Sequence, residues 1–180
     1  MDREEEWVGV KETVGVKGRG WPRRFNVVGL SFASNLLCYM DRINISVVAP
    51  VMMAELGWGP ATMGIVLSSF FWGYTALQGP GGWLADRYGG KRVLGVGVAW
   101  WSRFTILTPL ARTIPAMVAI RSVMGMGEGV NFPSIHSLLS RWVPPHERSR
   151  AVVFAFSGIY VGMIVALPTS VWIMTNLGWP

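Results

Sequence analysis

Three charged residues lie inside apolar segments, and their chemistry needs a reason: Arg42, Arg121 and Glu128. A charged side chain near the centre of a bilayer is costly, so such residues usually line a water-filled path or pair with one another. Arg121 and Glu128 are seven positions apart, so on a helix they share one face, about 10 Å apart along the axis. We expect both to face one cavity. Because an arginine fork suits a carboxylate or phosphate oxygen, we expect Arg42 and Arg121 to bind an anion.

Glu128 is the residue that we expect to bind a cation. A carboxyl group in a low-dielectric site can take up and release a proton near neutral pH, and sodium is the other candidate. A purely structural alternative stays open, in which Glu128 neutralises Arg42 or Arg121 and Asp41 neutralises a neighbouring arginine.

The segments that carry these residues have the composition of membrane spans. Hydrophobic residues make up 51% of the chain, charged residues make up 14%, and the mean hydropathy is +0.38, whereas soluble domains carry about 25% charged residues. About 20 helical residues cross a hydrocarbon core, and five segments are long enough: 26–52, 61–84, 92–111, 115–138 and 150–174. The sequence therefore predicts an all-α membrane fold, with residues 1–25 as a cytosolic segment and 26–180 as a partial helix bundle.

The distribution of lysine and arginine predicts the orientation of this bundle. Twelve of these residues would lie on one side of the membrane: Arg3, Lys11, Lys17, Arg19, Arg23, Arg24, Arg87, Lys91, Arg92, Arg141, Arg148 and Arg150. The opposite side holds only Arg112. Because cytosolic loops are enriched in Lys and Arg, we expect a cytosolic amino terminus. The same topology explains the net charge of +6 better than nucleic-acid binding, since no basic helix carries base-reading or stacking residues.

Other kinds of site find no support in the sequence. Cys38 is the only cysteine, and neither His136 nor His146 has metal-ligand spacing to another His, Cys or acid. No nucleophile with an adjacent base and no phosphate loop is present. We therefore expect no enzyme activity, no metal and no cofactor.

The loop between the second and third spans has a specific pattern: Gly82-Trp-Leu-Ala-Asp86-Arg87-Tyr-Gly89-Gly90-Lys91-Arg92. An aspartate ends one helix, the glycines permit a tight turn with positive φ, and the basic residues can pair with acids or with helix carboxyl ends. This run resembles the signature loop of the major facilitator superfamily, whose members are transporters with twelve spans. The resemblance implies a conformational latch that stabilises the outward-facing state against the carboxyl-terminal half. It would be formed by Gly82, Asp86, Arg87, Gly89, Lys91 and Arg92.

Further segments are similar to the anion:cation symporter family within that superfamily. They are Tyr39-Met-Asp-Arg42-x-Asn44-x-Ser46, Ser69-Phe-Phe-Trp-Gly-Tyr74, Gly125-x-Gly-Glu128-Gly129 and Glu147-Arg-Ser-Arg150. The likeness implies secondary transport of a small inorganic or organic anion by alternating access, and it agrees with Arg42 as an anion ligand. Leu67 stands where the vesicular glutamate transporters carry a histidine, which favours phosphate over glutamate.

The resemblance also predicts what the chain needs in order to work. Its partners would be the anion, a proton or sodium ion, the lipid bilayer, and a carboxyl-terminal half or a second transporter chain. We expect the chain to be incomplete and unable to transport alone. The alternative is a truncated, non-transporting protein that acts as an assembly partner or dominant-negative of a longer relative. Plastid, Golgi and plasma membranes all fit the predicted topology.

Overall fold

The computed structural model describes residues 23–177, and helices form the framework of that part of the chain. In chain order they are α1 (Arg23–Leu56), α2 (Pro60–Tyr88), α3 (Gly90–Leu107), a 3₁₀ turn (Thr108–Leu110), α4 (Ile114–Gly129), α5 (Asn131–Trp142) and α6 (Pro145–Leu177). The predicted all-α fold is confirmed. Most of the predicted cytosolic segment, residues 1–22, lies outside the described residues.

Several of these helices have the dimensions of a membrane span. Within the described residues, three segments are long and apolar enough to cross a bilayer: Arg23–Leu56, Gly90–Leu110 and Pro145–Asn176. The helix α2 and the α4–α5 pair complete five spans. Every span begins before the apolar stretch that predicted it, and all except α3 also end after it, because the polar ends continue the helical hydrogen bonding.

Glycines with positive φ end the first two helices. Gly57 has φ 66°, and the N–H of Trp58 donates to the carbonyl of Met53 at 3.1 Å, which is a Schellman closure of α1. Gly89, with φ 88°, separates α2 from α3. The sequence predicted this tight turn, and only glycine adopts that conformation without strain.

The fourth span, predicted near 115–138, consists of two helices. It is interrupted at Val130, and the second piece continues to Trp142. Pro133 explains the interruption, because it lacks an N–H and its ring opposes the carbonyl four residues earlier, that of Gly129. The span is therefore two helices, and Glu128 lies in the last turn of the first.

Two helix pairs pack at unusually close range through glycine. In the α2–α4 pair, a Cβ on Gly125 would meet the carbonyl of Phe70, and one on Gly73 would meet that of Ser122. In the α1–α6 pair, a Cβ on Gly158 would meet the carbonyl of Phe32. Small residues let membrane helices approach in this way, so that backbone contacts replace side-chain contacts.

A buried polar layer separates two apolar clusters. One cluster is built around Met52, Val66 and Met117, and the other around Ile135 and Leu139. Between them lie buried polar side chains from α1, α4 and α5: Asn35, Arg121, Glu128 and Asn131. The candidate functional site belongs to this layer.

Candidate functional site

The centre of the polar layer is an ion pair between α1 and α4. The Nε of Arg42 donates to Oε2 of Glu128 at 3.0 Å, and the two side chains are 16% and 0% exposed. Cys38, one turn earlier on α1, directs its Sγ to the same oxygen at 3.0 Å. The Nη2 of Arg42 and the Oε1 of Glu128 have no hydrogen-bond partner among the described residues. The pair is therefore hydrogen-bonded through Nε of Arg42 and Oε2 of Glu128, while Nη2 of Arg42 can still donate and Oε1 of Glu128 can still accept.

Aromatic rings enclose the guanidinium of Arg42. Its Cζ lies 4.9 Å from the ring centroid of Tyr39, 4.9 Å from that of Phe70 and 4.6 Å from that of Tyr74. A cation is attracted to the face of an aromatic ring, most strongly where water is excluded. Tyr39 and Tyr74 therefore contact the predicted site, whereas Trp72 is 59% exposed and does not belong to it.

Arg121 lies on the same helix as Glu128, but its surroundings are different. It is 4% exposed, its Cζ lies 5.0 Å from the ring centroid of Phe70, and its Nη1 contacts the Sδ of Met124 at 3.4 Å. Within residues 23–177 it forms no ion pair, and its Nε has no hydrogen-bond partner. Its guanidinium is thus a buried cation without a contacting carboxylate.

A cavity of about 150 Å³ lies beside Arg121, between α1, α3, α4 and α6. Its polar lining consists of Asp41, Asn44, Thr105, Thr108, Arg121 and Ser170. Arg42 and Glu128 do not line it, so Arg121 and Glu128 do not share this cavity, although we expected both to face one. The reason is that Glu128 draws Arg42 towards the α1–α4 contact, while Phe70 stands against both guanidinium groups.

Sequence reasoning missed the position of Asp41. Its carboxylate accepts a hydrogen bond from the hydroxyl of Thr105 at 3.4 Å and lines the cavity of Arg121. The signal was present, because an acidic residue directly before Arg42 in an apolar span also needs a polar surrounding. Among the described residues, no three His, Cys, Asp or Glu side chains are placed to hold a metal ion.

A second polar group lies one helical turn away from the ion pair. The hydroxyl of Ser34 donates to Oδ1 of Asn131 at 2.7 Å, and Nδ2 of Asn131 donates to Oδ1 of Asn35 at 2.9 Å. Asn35 in turn donates to the carbonyl of Ala155 at 2.9 Å. These bonds tie α5 to α1 and α6 directly after the break at Val130, and so hold the helix end that carries Glu128.

The residues predicted to form the latch separate onto different faces. Asp86 accepts a hydrogen bond from Ser137 at 3.1 Å and lies 3.9 Å from Arg141, which also donates to the backbone carbonyl of Asp86 at 2.9 Å. Asp86 and Gly82 line a crevice between α2, α5 and α6. Arg87 stacks on Trp83 at 5.2 Å.

The remaining basic residues of the loop point elsewhere. Lys91 and Arg92 are exposed and form no ion pair with the described residues. Arg92 lines a groove between α2, α3 and α4, apart from the crevice of Asp86. Gly89 supplies the turn that brings α3 against α5, where a Cβ on Gly90 would lie 2.6 Å from the carbonyl of Ser134.

Known proteins are similar to this chain over most of its length. The family model described as Major Facilitator Superfamily matches residues 31–180. "Probable anion transporter 4, chloroplastic" of Oryza sativa subsp. japonica is 50% identical over 162 residues, which cover 89% of this chain and 27% of that protein. "Sodium-dependent phosphate transport protein 1, chloroplastic" of Arabidopsis thaliana is 49% identical, with coverage of 89% and 32%. "Ascorbate transporter, chloroplastic" of Arabidopsis thaliana is 47% identical, with coverage of 89% and 30%.

A solved transporter has the same fold. The bacterial homolog of the human lysosomal transporter Spinster, in an inward-facing and unoccupied conformation, aligns with a TM-score of 0.77 at 25% identity. The alignment covers 82% of this chain and 31% of that one. The chain spans less than a third of the length of each of these proteins.

Proposed function

Since this chain belongs to the major facilitator superfamily, we propose that it supplies the first five spans of a secondary transporter for a small anion. Phosphate is the favoured substrate. Relatives at 49% and 47% identity are named for phosphate and for ascorbate, which are both anions. Because their names are chloroplastic, we propose a plastid membrane as the location. The amino terminus would lie on the cytosolic side of that membrane. These transporter names lend no support to the alternative role as an assembly partner.

The observation that carries this proposal is the burial of two arginines against one aromatic ring. Arg42 has Glu128 as its counter-ion, but Arg121 has no contacting carboxylate within residues 23–177. Buried cations that lack a full set of partners bind anions strongly, because each unpaired N–H in a low-dielectric site is costly. We propose that the Nη2 of Arg42 and the Nε of Arg121 donate to the oxygens of the transported anion.

Glu128 would couple the anion to a second ion. When the carboxylate is charged, it holds Arg42 at 3.0 Å and competes with an incoming anion. Protonation removes that competition and leaves the guanidinium available, so proton and anion would bind together, as symport requires. Sodium beside the carboxylate would act in the same direction, and the Glu128→Gln experiment in the Discussion distinguishes the two.

The loop after α2 would act in the conformational cycle rather than in substrate binding. We propose that Asp86, held by Ser137 and Arg141, presents one face of the latch. The exposed Arg87 and Lys91 would meet a carboxyl-terminal half, with Gly82 and Gly89 shaping the loop. Alternating access needs two halves that rock around a central site, so this chain would need that partner for transport.

The decisive experiment uses the complete transporter, reconstituted in liposomes and assayed for radiolabelled phosphate uptake. We expect Arg42→Ala and Arg121→Ala each to lower uptake by at least about tenfold, equivalent to 1.4 kcal/mol. Arg103→Ala is the matched control, because Arg103 is exposed on α3 and should retain uptake. Wild-type uptake in both site variants would overturn the proposal.

A folding control is needed, since Arg42→Ala leaves Glu128 buried without a partner. The double variant Arg42→Gln with Glu128→Gln keeps the contact neutral and nearly isosteric. We expect it to melt close to the wild-type temperature and still to fail in phosphate uptake. Uptake by this double variant would show that the pair is structural only.

A further inference from the structure

An apolar groove runs along the outside of the bundle, between α2, α3 and α4. Its volume is about 480 Å³, and its walls are formed by aliphatic and aromatic side chains that include Leu77, Val93, Val96 and Trp100. Gly97 and Gly127 form its floor. A Cβ on Gly97 would lie 2.7 Å from the side chain of Val130, and one on Gly127 would lie 2.6 Å from Trp100, so glycine at both positions lets α3 and α4 pack closely beside the groove.

One end of the groove is basic. Arg92 lines it there together with Tyr88, and no carboxylate is among the lining residues. Arg92 is exposed and forms no ion pair or side-chain hydrogen bond with residues 23–177. The acidic residue nearest to Arg92 in sequence, Asp86, faces the separate crevice with Ser137 and Arg141. The cation at the groove end is therefore available to an external anion.

The other end of the groove is closed by an anchored ring. The indole Nε1 of Trp100 donates to the backbone carbonyl of Val123 on α4 at 3.0 Å, and the ring of Phe104 packs 5.3 Å from that of Trp100. Arg92 and Trp100 are eight residues apart on α3, so the groove is about 12 Å long at 1.5 Å per residue. The groove therefore has a positively charged end at Arg92 and an apolar end at Trp100.

We propose that this groove binds an anionic phospholipid, with the phosphate on Arg92 and one acyl chain lying along α3 towards Trp100. An arginine fork suits a phosphate group, and basic pockets between membrane helices are known settings for anionic headgroups. A zwitterionic lipid gains less, because its own cation offsets the attraction to Arg92. The proposal assigns Arg92 to the lipid and is independent of the anion transported at Arg42 and Arg121.

The test uses the purified 180-residue chain in detergent, titrated with phosphatidylglycerol or phosphatidylcholine and observed by native mass spectrometry. We expect phosphatidylglycerol to bind more tightly than phosphatidylcholine. Arg92→Gln should weaken phosphatidylglycerol about tenfold, which corresponds to 1.4 kcal/mol, and leave phosphatidylcholine unchanged. Lys91→Gln is the matched control, since Lys91 is the adjacent exposed cation outside the groove, and should change either affinity by less than about twofold.

A second pair of variants tests the place of the acyl chain. Val96→Phe fills the groove and should reduce the binding of both lipids, whereas Ala99→Phe adds the same ring on α3 outside the groove and should not. Equal binding of the two lipids by the wild type, or equal effects of Lys91→Gln and Arg92→Gln, would overturn the proposal. A dimer that is lost in Val96→Phe and is insensitive to lipid charge would show instead that a second copy of the chain occupies the groove.

Discussion

The charged guanidinium of Arg42 is stabilised inside the membrane by a few individual residues. Placing an arginine at the centre of a membrane helix costs about 2.5–3.5 kcal/mol on insertion scales. Here the cost is offset by the carboxylate of Glu128 at 3.0 Å and by three aromatic rings. The ring of Phe70 is shared with Arg121, so a single side chain stabilises both buried cations.

Phe70→Leu should therefore destabilise the chain more than an ordinary aromatic truncation of the same size. We expect a loss of about 1–3 kcal/mol in unfolding free energy from two desolvated cation–π contacts, measured by SDS titration in mixed micelles. Phe71→Leu is the control, because Phe71 is 56% exposed and should cost less than about 0.5 kcal/mol. Equal losses in the two variants would mean that the ring does not stabilise the arginines.

Glu128→Gln addresses the coupled ion in the complete transporter. The amide cannot release a proton, so we expect phosphate uptake to lose its stimulation by an inward proton gradient while phosphate exchange between loaded vesicles persists. The measurement compares uptake with and without a pH gradient, at constant sodium, for wild type and variant. A response to the pH gradient that is unchanged in Glu128→Gln would remove Glu128 from proton coupling. A parallel comparison varies the sodium gradient at constant pH, and if sodium is the coupled ion, the variant loses its stimulation by sodium instead.

The sequence predicted which charged residues belong to the site, but not which of them form an ion pair. Arg42, Arg121 and Glu128 were recognisable because charge inside an apolar span is costly. Their partners depend on the distance between α1 and α4, which no local pattern contains. Glu128 could have met either arginine, and the structure selects Arg42. Asp41 contacts Thr105 rather than an arginine, for the same reason.

Among the helix pairs, α2 and α4 have the closest backbone contacts, and these contacts require glycine. Gly125→Ala would place a methyl group on the carbonyl of Phe70, so the helices must separate. We expect a loss of about 1–3 kcal/mol in unfolding free energy. Gly64→Ala is the control on α2, because nothing lies within 4 Å of its Cβ position. It should be neutral or stabilising by up to about 1 kcal/mol. A neutral Gly125→Ala would show that the pair is less closely packed than described.

The fourth span shows what element prediction leaves out. Hydropathy located an apolar segment near 115–138, and the structure places helices over it. Pro133 marks a discontinuity in any helix, but the consequence depends on tertiary bonds. Asn131 is fixed to Ser34 and Asn35, which supplies polar partners beside the broken turn. Those partners are 96 and 97 positions away in the chain, so the sequence alone does not reveal them.

For the whole molecule, the distribution of charge predicts a topology that can be tested with the protein's own single cysteine. Cys38 is fully buried, so the wild-type chain should resist a membrane-impermeant maleimide on both sides of sealed vesicles of known sidedness. Ser149→Cys and Arg112→Cys each add one exposed thiol, near the basic start of α6 and in the loop before α4.

Because the amino terminus is predicted on the same side as the basic loops, Ser149→Cys should be labelled only from the cytosolic side and Arg112→Cys only from the opposite side. Labelling is read as a mass shift after the reagent is applied to intact vesicles and again after permeabilisation, which exposes the protected thiol. The reverse pattern would invert the bundle, and with it the predicted cytosolic position of Arg87, Lys91 and Arg92. Labelling of both positions from one side would contradict the number of spans between them.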